Sequence, residues 1–228
     1  MPAAARPGNE AERLRALEAY RILDTAPEPV FDDLVTVAAH LCGAPMSLIT
    51  LVDDSRQWFK ARVGLELAET RREHAFCAHA ILDTVPLVVT DATTDSRFAD
   101  NPYVVDDPSI RFYAGAPLTT PDGHALGTLC VLDRVPRELT PDQLAALQAL
   151  ARQATALLEW RRTMAQLAEA LTSVRTLEGL IPICSGCKSM RDDGGYWQRV
   201  EAYLAERSGA TFSHGLCPNC VTTLYPDV

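Results

Sequence analysis

Phe112-Tyr-Ala-Gly-Ala-Pro-Leu-Thr119 and Leu126-Gly-Thr-Leu-Cys-Val-Leu-Asp133 are two short apolar runs separated by a turn sequence, Pro121-Asp122-Gly123. Proline presets φ in that turn and glycine accepts φ above zero, so the two runs read as the strands of a β-hairpin. Ala114, Gly115 and Ala116 carry little side chain, which admits a close neighbour to the first strand, either a packed helix or a ligand. Upstream, Met46 to Val52 is apolar and branched, Asp53-Asp54-Ser55 has turn chemistry, and Gln57 to Val63 continues with Trp58 and Phe59, which predicts another hairpin.

Helical spacing surrounds this β-rich centre. Leu14, Leu17 and Tyr20 predict a helix over Glu10 to Tyr20, and Phe31, Leu34, Val37 and Ala38 predict one from about Glu28 to Leu41, with Thr25 and Glu28 at capping-box spacing. A short helix is expected over His74 to Leu82 and a strand over Leu87 to Val89. The polar stretch that follows, with Pro102 and Pro108, runs to about Ile110 and is long enough to be the wall or lid of a pocket. Thr140-Pro-Asp-Gln143 opens a further helix with cap, first-turn proline and glutamine in the expected places. No proline or glycine follows until Gly179, so a rod of about 35 residues and about 50 Å is expected. Along it Leu157, Trp160, Met164, Leu167, Leu171 and Val174 alternate at spacings of three and four. That pattern suits a parallel homodimeric coiled coil; the alternative is one amphipathic helix packed on its own domain.

The chain has 228 residues, 47% hydrophobic and 22% charged, which is ordinary globular composition. A net charge of −9 disfavours nucleic acid and anionic lipid as partners. The N-terminal residues lack a signal-peptide pattern and no apolar run reaches membrane length, so a cytoplasmic protein is expected. In that compartment the seven cysteines point to metal or burial rather than disulfides. Cys42, Cys77 and Cys130 lie singly among apolar residues. Cys184-Ser-Gly-Cys187 and Cys217-Pro-Asn-Cys220 form two knuckles with a helix expected between them, from Arg199 to Glu206. Together they supply the four soft ligands of a closed tetrahedral Zn2+ site, structural rather than catalytic; iron and two independent redox pairs are the other readings. His214 is a candidate for donating a hydrogen bond to one of the thiolates or for displacing one cysteine as ligand. Four basic residues (Lys188, Arg191, Arg199, Arg207) against five acids (Asp192, Asp193, Glu201, Glu206, Asp227) give this segment no basic face for DNA, so a protein contact is expected.

Several dispersed motifs carry a family resemblance: Arg21-Ile-Leu-Asp-Thr25, Gln57-Trp-Phe59, Phe76-Cys-Ala-His79, Asp95-Ser-Arg-Phe98, Asn101-Pro102, Ile110 to Leu118 and Gly127 to Asp133. They make residues 10–162 similar to bacterial GAF domains of the subgroup found in sensor histidine kinases and diguanylate cyclases. Leu180-Ile-Pro-Ile-Cys184, Gly195-Tyr-Trp197 and Phe212 to Cys217 resemble a cysteine-rich tail of bacterial two-component sensors. The resemblance implies an α+β fold: an antiparallel sheet of five or six strands flanked by helices, a helical linker over 163–180, and a small zinc-bound module over 181–228. It also implies a ligand pocket on one sheet face, with Trp58, Phe76, Cys77, His79, Arg97, Phe98, Phe112 and Tyr113 as candidate lining residues. The output domains usual for such sensors are absent from the sequence. The expected function is a non-enzymatic sensor or scaffold, homodimeric through the long helix, that binds an unknown small ligand and signals to a protein partner. The alternative is a thiol-dependent redox enzyme similar to GAF-fold sulfoxide reductases, with Cys77 as nucleophile, His79 as base and Cys130 as resolving thiol, although the cysteine spacing departs from that group. Bilin attachment at Cys77 is also allowed by the fold, but the surrounding motif differs from that of phytochromes.

Overall fold

The two hairpins expected from sequence form the centre of one sheet. In the computed structural model, which describes residues 3–175, 182–192 and 194–224, the chain divides into two units, Met1–Met164 and Ala165–Val228. The first unit begins with helices α1 (Glu10–Ala19) and α2 (Pro29–Cys42), followed by strands β1 (Met46–Val52), β2 (Arg56–Val63) and β3 (Glu69–Arg71). A 3-10 turn (Arg72–His74) leads into α3 (Phe76–Ala80), β4 (Leu87–Val89) and α4 (Pro102–Val105). Then come β5 (Phe112–Thr119), β6 (Ala125–Asp133) and the long α5 (Pro141–Arg175). The six strands are ordered β3-β2-β1-β6-β5-β4, all antiparallel: the hairpins β1–β2 and β5–β6 join through β1 and β6, with short strands on both edges. Gly127 permits that junction, because a β-carbon there would collide with the Thr50 backbone.

Strand alternation divides the side chains between two cores. On one face Ile49, Leu51, Trp58, Phe112, Ala114, Ala116, Leu129 and Val131 pack with Phe31, Val35 and Ala38 of α2 and with Leu147, Ala151, Ala154 and Leu158 of α5. The helical residues recur at three and four, as one buried stripe requires. Ala114 and Ala116 are therefore small because helices pack on them, which resolves the choice left open by sequence in favour of packing. On the other face Met46, Leu48, Val52, Phe59, Tyr113, Cys130 and Leu132 pack with Phe76, Cys77, Ala80 and Ile81 of the α3 region and with Phe98, Val104 and Ile110.

Two helix starts behave differently. At α5 the Thr140 hydroxyl accepts from the Gln143 amide at 3.2 Å and the Gln143 side chain accepts from the Thr140 amide at 3.0 Å, the reciprocal box expected. At α2 the expected Thr25–Glu28 box does not form. Thr25 donates instead to the Ile22 carbonyl at 2.7 Å, and the Glu28 carboxylate is taken by Lys60 at 2.6 Å and Arg161 at 3.0 Å. An ion pair with a buried ammonium outweighs one cap hydrogen bond, so the tertiary partner wins.

Helix α5 is 35 residues long, as its uninterrupted sequence predicts. Trp160, Leu167 and Leu171 on its outer stripe are 64%, 50% and 54% exposed, while Leu157 packs on the core beside α2. The remainder of the expected linker, 176–180, and the side chain of Val174 lie outside the described residues. The second unit continues with a small hairpin, β7 (Met190–Arg191) and β8 (Trp197–Gln198), then α6 (Val200–Ser208) and α7 (Pro218–Leu224). Helix α6 is the one expected between the cysteine knuckles. Among the described residues no helix is long and apolar enough to cross a membrane.

Candidate functional site

The sheet face opposite α2 and α5 holds the candidate pocket. Asn101, fully buried, builds its outer wall: its side chain accepts from the Tyr103 amide at 2.9 Å, capping α4, and donates to the His74 carbonyl at 2.9 Å. One residue thus joins the long 90–110 segment to the turn that leads into α3. That segment was expected to be a pocket wall, and Tyr103, Pro108 and Ile110 do line the space beneath it. The space is small, about 30 Å³, enough for one or two water-sized molecules and well short of the roughly 300 Å³ and more of a typical ligand pocket.

Aromatic stacking explains why so little space remains. Phe76 stacks on Phe98 at 4.2 Å and on Tyr113 at 5.2 Å, and His79 meets the Phe98 ring edge-on at 4.9 Å. Arg97 lies over the same ring at 5.1 Å and forms a two-pronged pair with Asp95, at 2.9 and 2.6 Å. Burial, with Arg97 close by, pushes the His79 imidazole below its ordinary pKa, so it is neutral at pH 7.

At the centre two thiols face each other. Cys77 Sγ is 3.9 Å from Cys130 Sγ, and the Tyr113 hydroxyl donates to Cys77 at 3.3 Å. Thr50 and Thr128, 3.2 Å apart and fully buried, belong to the same cluster. Burial acts to raise the Cys77 pKa, but hydrogen bonds from Cys130, Thr128, Thr50 and Tyr113 outweigh it and lower the value. Burial and the neighbouring Cys77 push Cys130 upward, and the hydrogen bond that Tyr113 donates to Cys77 favours negative charge on that sulfur. Gln57 Oε1, Thr70 Oγ1 and His74 Nδ1 are buried without a protein hydrogen-bond partner, and all three residues line the cavity.

Residues 26–158 match the GAF domain family. The chain belongs to it. Over 147 residues it is 44% identical to a protein named cyclic di-GMP phosphodiesterase from Pseudomonas aeruginosa; the match covers 64% of this chain and 25% of that protein, so the chain spans about a quarter of that relative's length. Among solved structures, the GAF domain of a phosphoenolpyruvate-protein phosphotransferase from Coxiella burnetii superposes with TM-score 0.52 at 16% identity, covering 69% of this chain and 97% of that one. The corresponding domain from Acinetobacter gives 0.51 at 16% identity, covering 68% and 96%. These likenesses show the fold.

In this GAF domain three of the eight residues expected to line the pocket do line the cavity, Phe76, Cys77 and Tyr113, while Phe98, His79 and Arg97 pack in sequence behind Phe76 and do not reach it. Trp58 and Phe112 are corrections, because both lie in the core on the opposite face. Phe112 and Tyr113 are neighbours on one strand and so point to opposite faces, as do Trp58 and Phe59. The same alternation applied to Gln57 and Thr128 places them beside Phe59 and Cys130, a signal the sequence reading did not use. Thr70, His74 and Asn101 carry no such mark.

The GAF domain also has larger clefts on its surface. One of about 620 Å³ is lined by Pro117 and Thr119 of β5 with Gln148, Arg152 and Glu159 of α5. Another of about 820 Å³ lies beside Arg6, Arg56, Arg71 and Arg72, whose charges are matched by Asp54, Glu69, Glu73 and Glu10.

In the cysteine-rich unit each knuckle is formed separately. The Cys184 amide donates to the Ser189 carbonyl at 2.8 Å and the Lys188 amide donates to the Cys184 carbonyl at 3.0 Å, which folds the first pair into a tight turn. Hydrogen bonds with Ser189, then with Cys184, lower the Cys187 thiol to about 7. Cys217, just before α7, is lowered by hydrogen bonds involving Cys220. Thiolate-ready sulfurs in two turns are the donor chemistry zinc requires. Among the described residues, however, no group of three or more His, Cys, Asp or Glu side chains stands close enough to hold an ion, and this covers all four cysteines and His214. The donors fit zinc in kind, and the two pairs are not gathered into one set.

Proposed function

We propose that this chain is a non-enzymatic, cytoplasmic signal-transduction sensor whose GAF domain passes the state of the Cys77 cavity to α5 and, through it, to a protein partner. One connection carries the reading. Phe59 lines the cavity, and the next residue, Lys60, is the extra residue of a β-bulge between Ile49–Ala61 and Thr50–Phe59 pairings. The Lys60 ammonium, with no exposed surface, donates to Glu28, and the same Glu28 oxygen accepts from Arg161 on α5. A shift of β2 at the cavity therefore reaches α5 through two charge-assisted bonds that meet on Glu28, the residue just before α2.

The exposed stripe of Trp160, Met164, Leu167 and Leu171 supports a homodimer through α5. The tail is proposed to take one structural Zn2+ through Cys184, Cys187, Cys217 and Cys220, closing the two knuckles into a staple for a unit with little apolar interior. Native mass spectrometry of the purified chain tests both together: one zinc per chain in a dimer is expected, and a metal-free monomer refutes them. The relative's phosphodiesterase name is not carried over, since three quarters of its length lies beyond the match. A cyclic dinucleotide also far exceeds the cavity.

A second reading, a thiol-dependent reductase using Cys77, is favoured by the 3.9 Å approach of Cys130. The cavity leaves no room for a sulfoxide side chain beside the thiols. Absence of sulfoxide turnover that depends on Cys77 removes it.

A further inference from the structure

We infer that Cys77 and Cys130 are a peroxide-reactive dithiol, converted to a disulfide by hydrogen peroxide taken into the cavity they share. Three independent features support this. The two sulfurs already face each other at 3.9 Å, both on fully buried residues, so closing the bond to about 2 Å needs a displacement of about 2 Å. The cavity's 30 Å³ admits a molecule the size of water or hydrogen peroxide and excludes larger oxidants. Its wall holds Gln57 Oε1, Thr70 Oγ1 and His74 Nδ1 without protein partners; Gln57 is only 5% exposed, so a small guest that both donates and accepts hydrogen bonds meets matching groups there.

A cysteine buried only for packing sits among hydrocarbon and is inert. Cys77 instead sits among the hydroxyls of Tyr113, Thr50 and Thr128, which support the thiolate. In the first step the Cys77 thiolate attacks one peroxide oxygen, the O–O bond breaks, and the departing hydroxide takes the proton of the Cys130 thiol and leaves as water. Cys77 is then a sulfenic acid. In the second step the Cys130 thiolate attacks Cys77 Sγ, the S–O bond breaks, and the second hydroxide recovers the proton Cys77 first released. Two thiols and one hydrogen peroxide give one disulfide and two waters, with two electrons passing from sulfur to peroxide. The new bond ties α3 to β6. This makes an oxidant the input of the sensor proposed above, and only that consequence rests on the sensor reading.

The test uses the full-length, reduced protein treated with hydrogen peroxide, quenched, alkylated after unfolding and mapped by peptide mass. A Cys77–Cys130 linked peptide that dithiothreitol reverses is expected, with tert-butyl hydroperoxide forming it at least about tenfold more slowly because the cavity excludes it. In Cys130→Ser, or in Cys130→Ala if the first does not fold, Cys77 should stop at a sulfenic acid that dimedone traps when it is added as the protein is unfolded. Full alkylation of both thiols under conditions that oxidise the exposed Cys187 overturns the inference, and equal rates with the two peroxides overturn the cavity route. Absence of the linked peptide leaves the sensor reading with another input. A linked peptide with unchanged amide exchange in α5 sustains the dithiol and removes the sensor reading.

Discussion

Replacing Lys60 by methionine should uncouple β2 from α5 while preserving the fold. The lysine side chain is 0% exposed, and its ammonium donates to Thr25 Oγ1 at 3.0 Å, the Ala26 carbonyl at 2.8 Å and Glu28 at 2.6 Å, 5.3 Å from the Phe31 ring. Methionine keeps the apolar stem and removes all three bonds. Breaking a buried ion pair by deleting one partner costs about 3–5 kcal/mol. Glu28 keeps Arg161 and is 34% exposed, which moves the expectation to the lower end, about 3 kcal/mol. For a chain of this size that lowers Tm by roughly 6–12 °C. Urea unfolding followed by circular dichroism measures the loss, and a double-mutant cycle with Glu28→Gln should return a coupling of about 2 kcal/mol. Amide exchange in the part of α5 around Arg161 should rise in the same variant. A loss below about 1 kcal/mol, with coupling near zero, would refute the claim that this pair links β2 to α5.

Two further expectations concern the same unit. Glu10 is buried between Arg13, at 2.8 Å, and Arg72; burial alone would raise its pKa, but those two guanidinium partners bring it down to about 2. Its contribution is therefore complete above the ordinary carboxylate range and fades as pH falls from about 5 toward 2, amounting to about 3 kcal/mol, so unfolding free energy in Glu10→Gln should depend less on pH across that window. Thr140→Ala removes the hydroxyl half of the box that starts α5 and should cost about 1 kcal/mol, read as a lower urea midpoint at unchanged m-value. A midpoint unchanged within error would show that Pro141 alone sets the helix start.

Local chemistry determined much of this protein. The hairpins follow from apolar runs around turn residues, α5 from its cap and from the lack of breakers, and α6 from its spacing between the knuckles, because each depends on neighbours within a few residues. Alternation also determined that Phe112 and Tyr113 part company, a rule that already rules out Phe112 as a pocket residue. Tertiary structure alone decided the rest. Thr25 and Glu28 have cap spacing, yet Glu28 serves Lys60 and Arg161, residues far along the chain that only the folded sheet brings within hydrogen-bond reach. The sequence suggested Cys77 and Cys130 as partners only by resemblance; the packing of α3 on β6 is what sets them 3.9 Å apart and surrounds them with hydroxyls from three strands. The size of the cavity was equally illegible, since it is what remains after Phe76, Phe98 and Tyr113 have stacked, and a residual volume is a property of packed surfaces that no single residue carries.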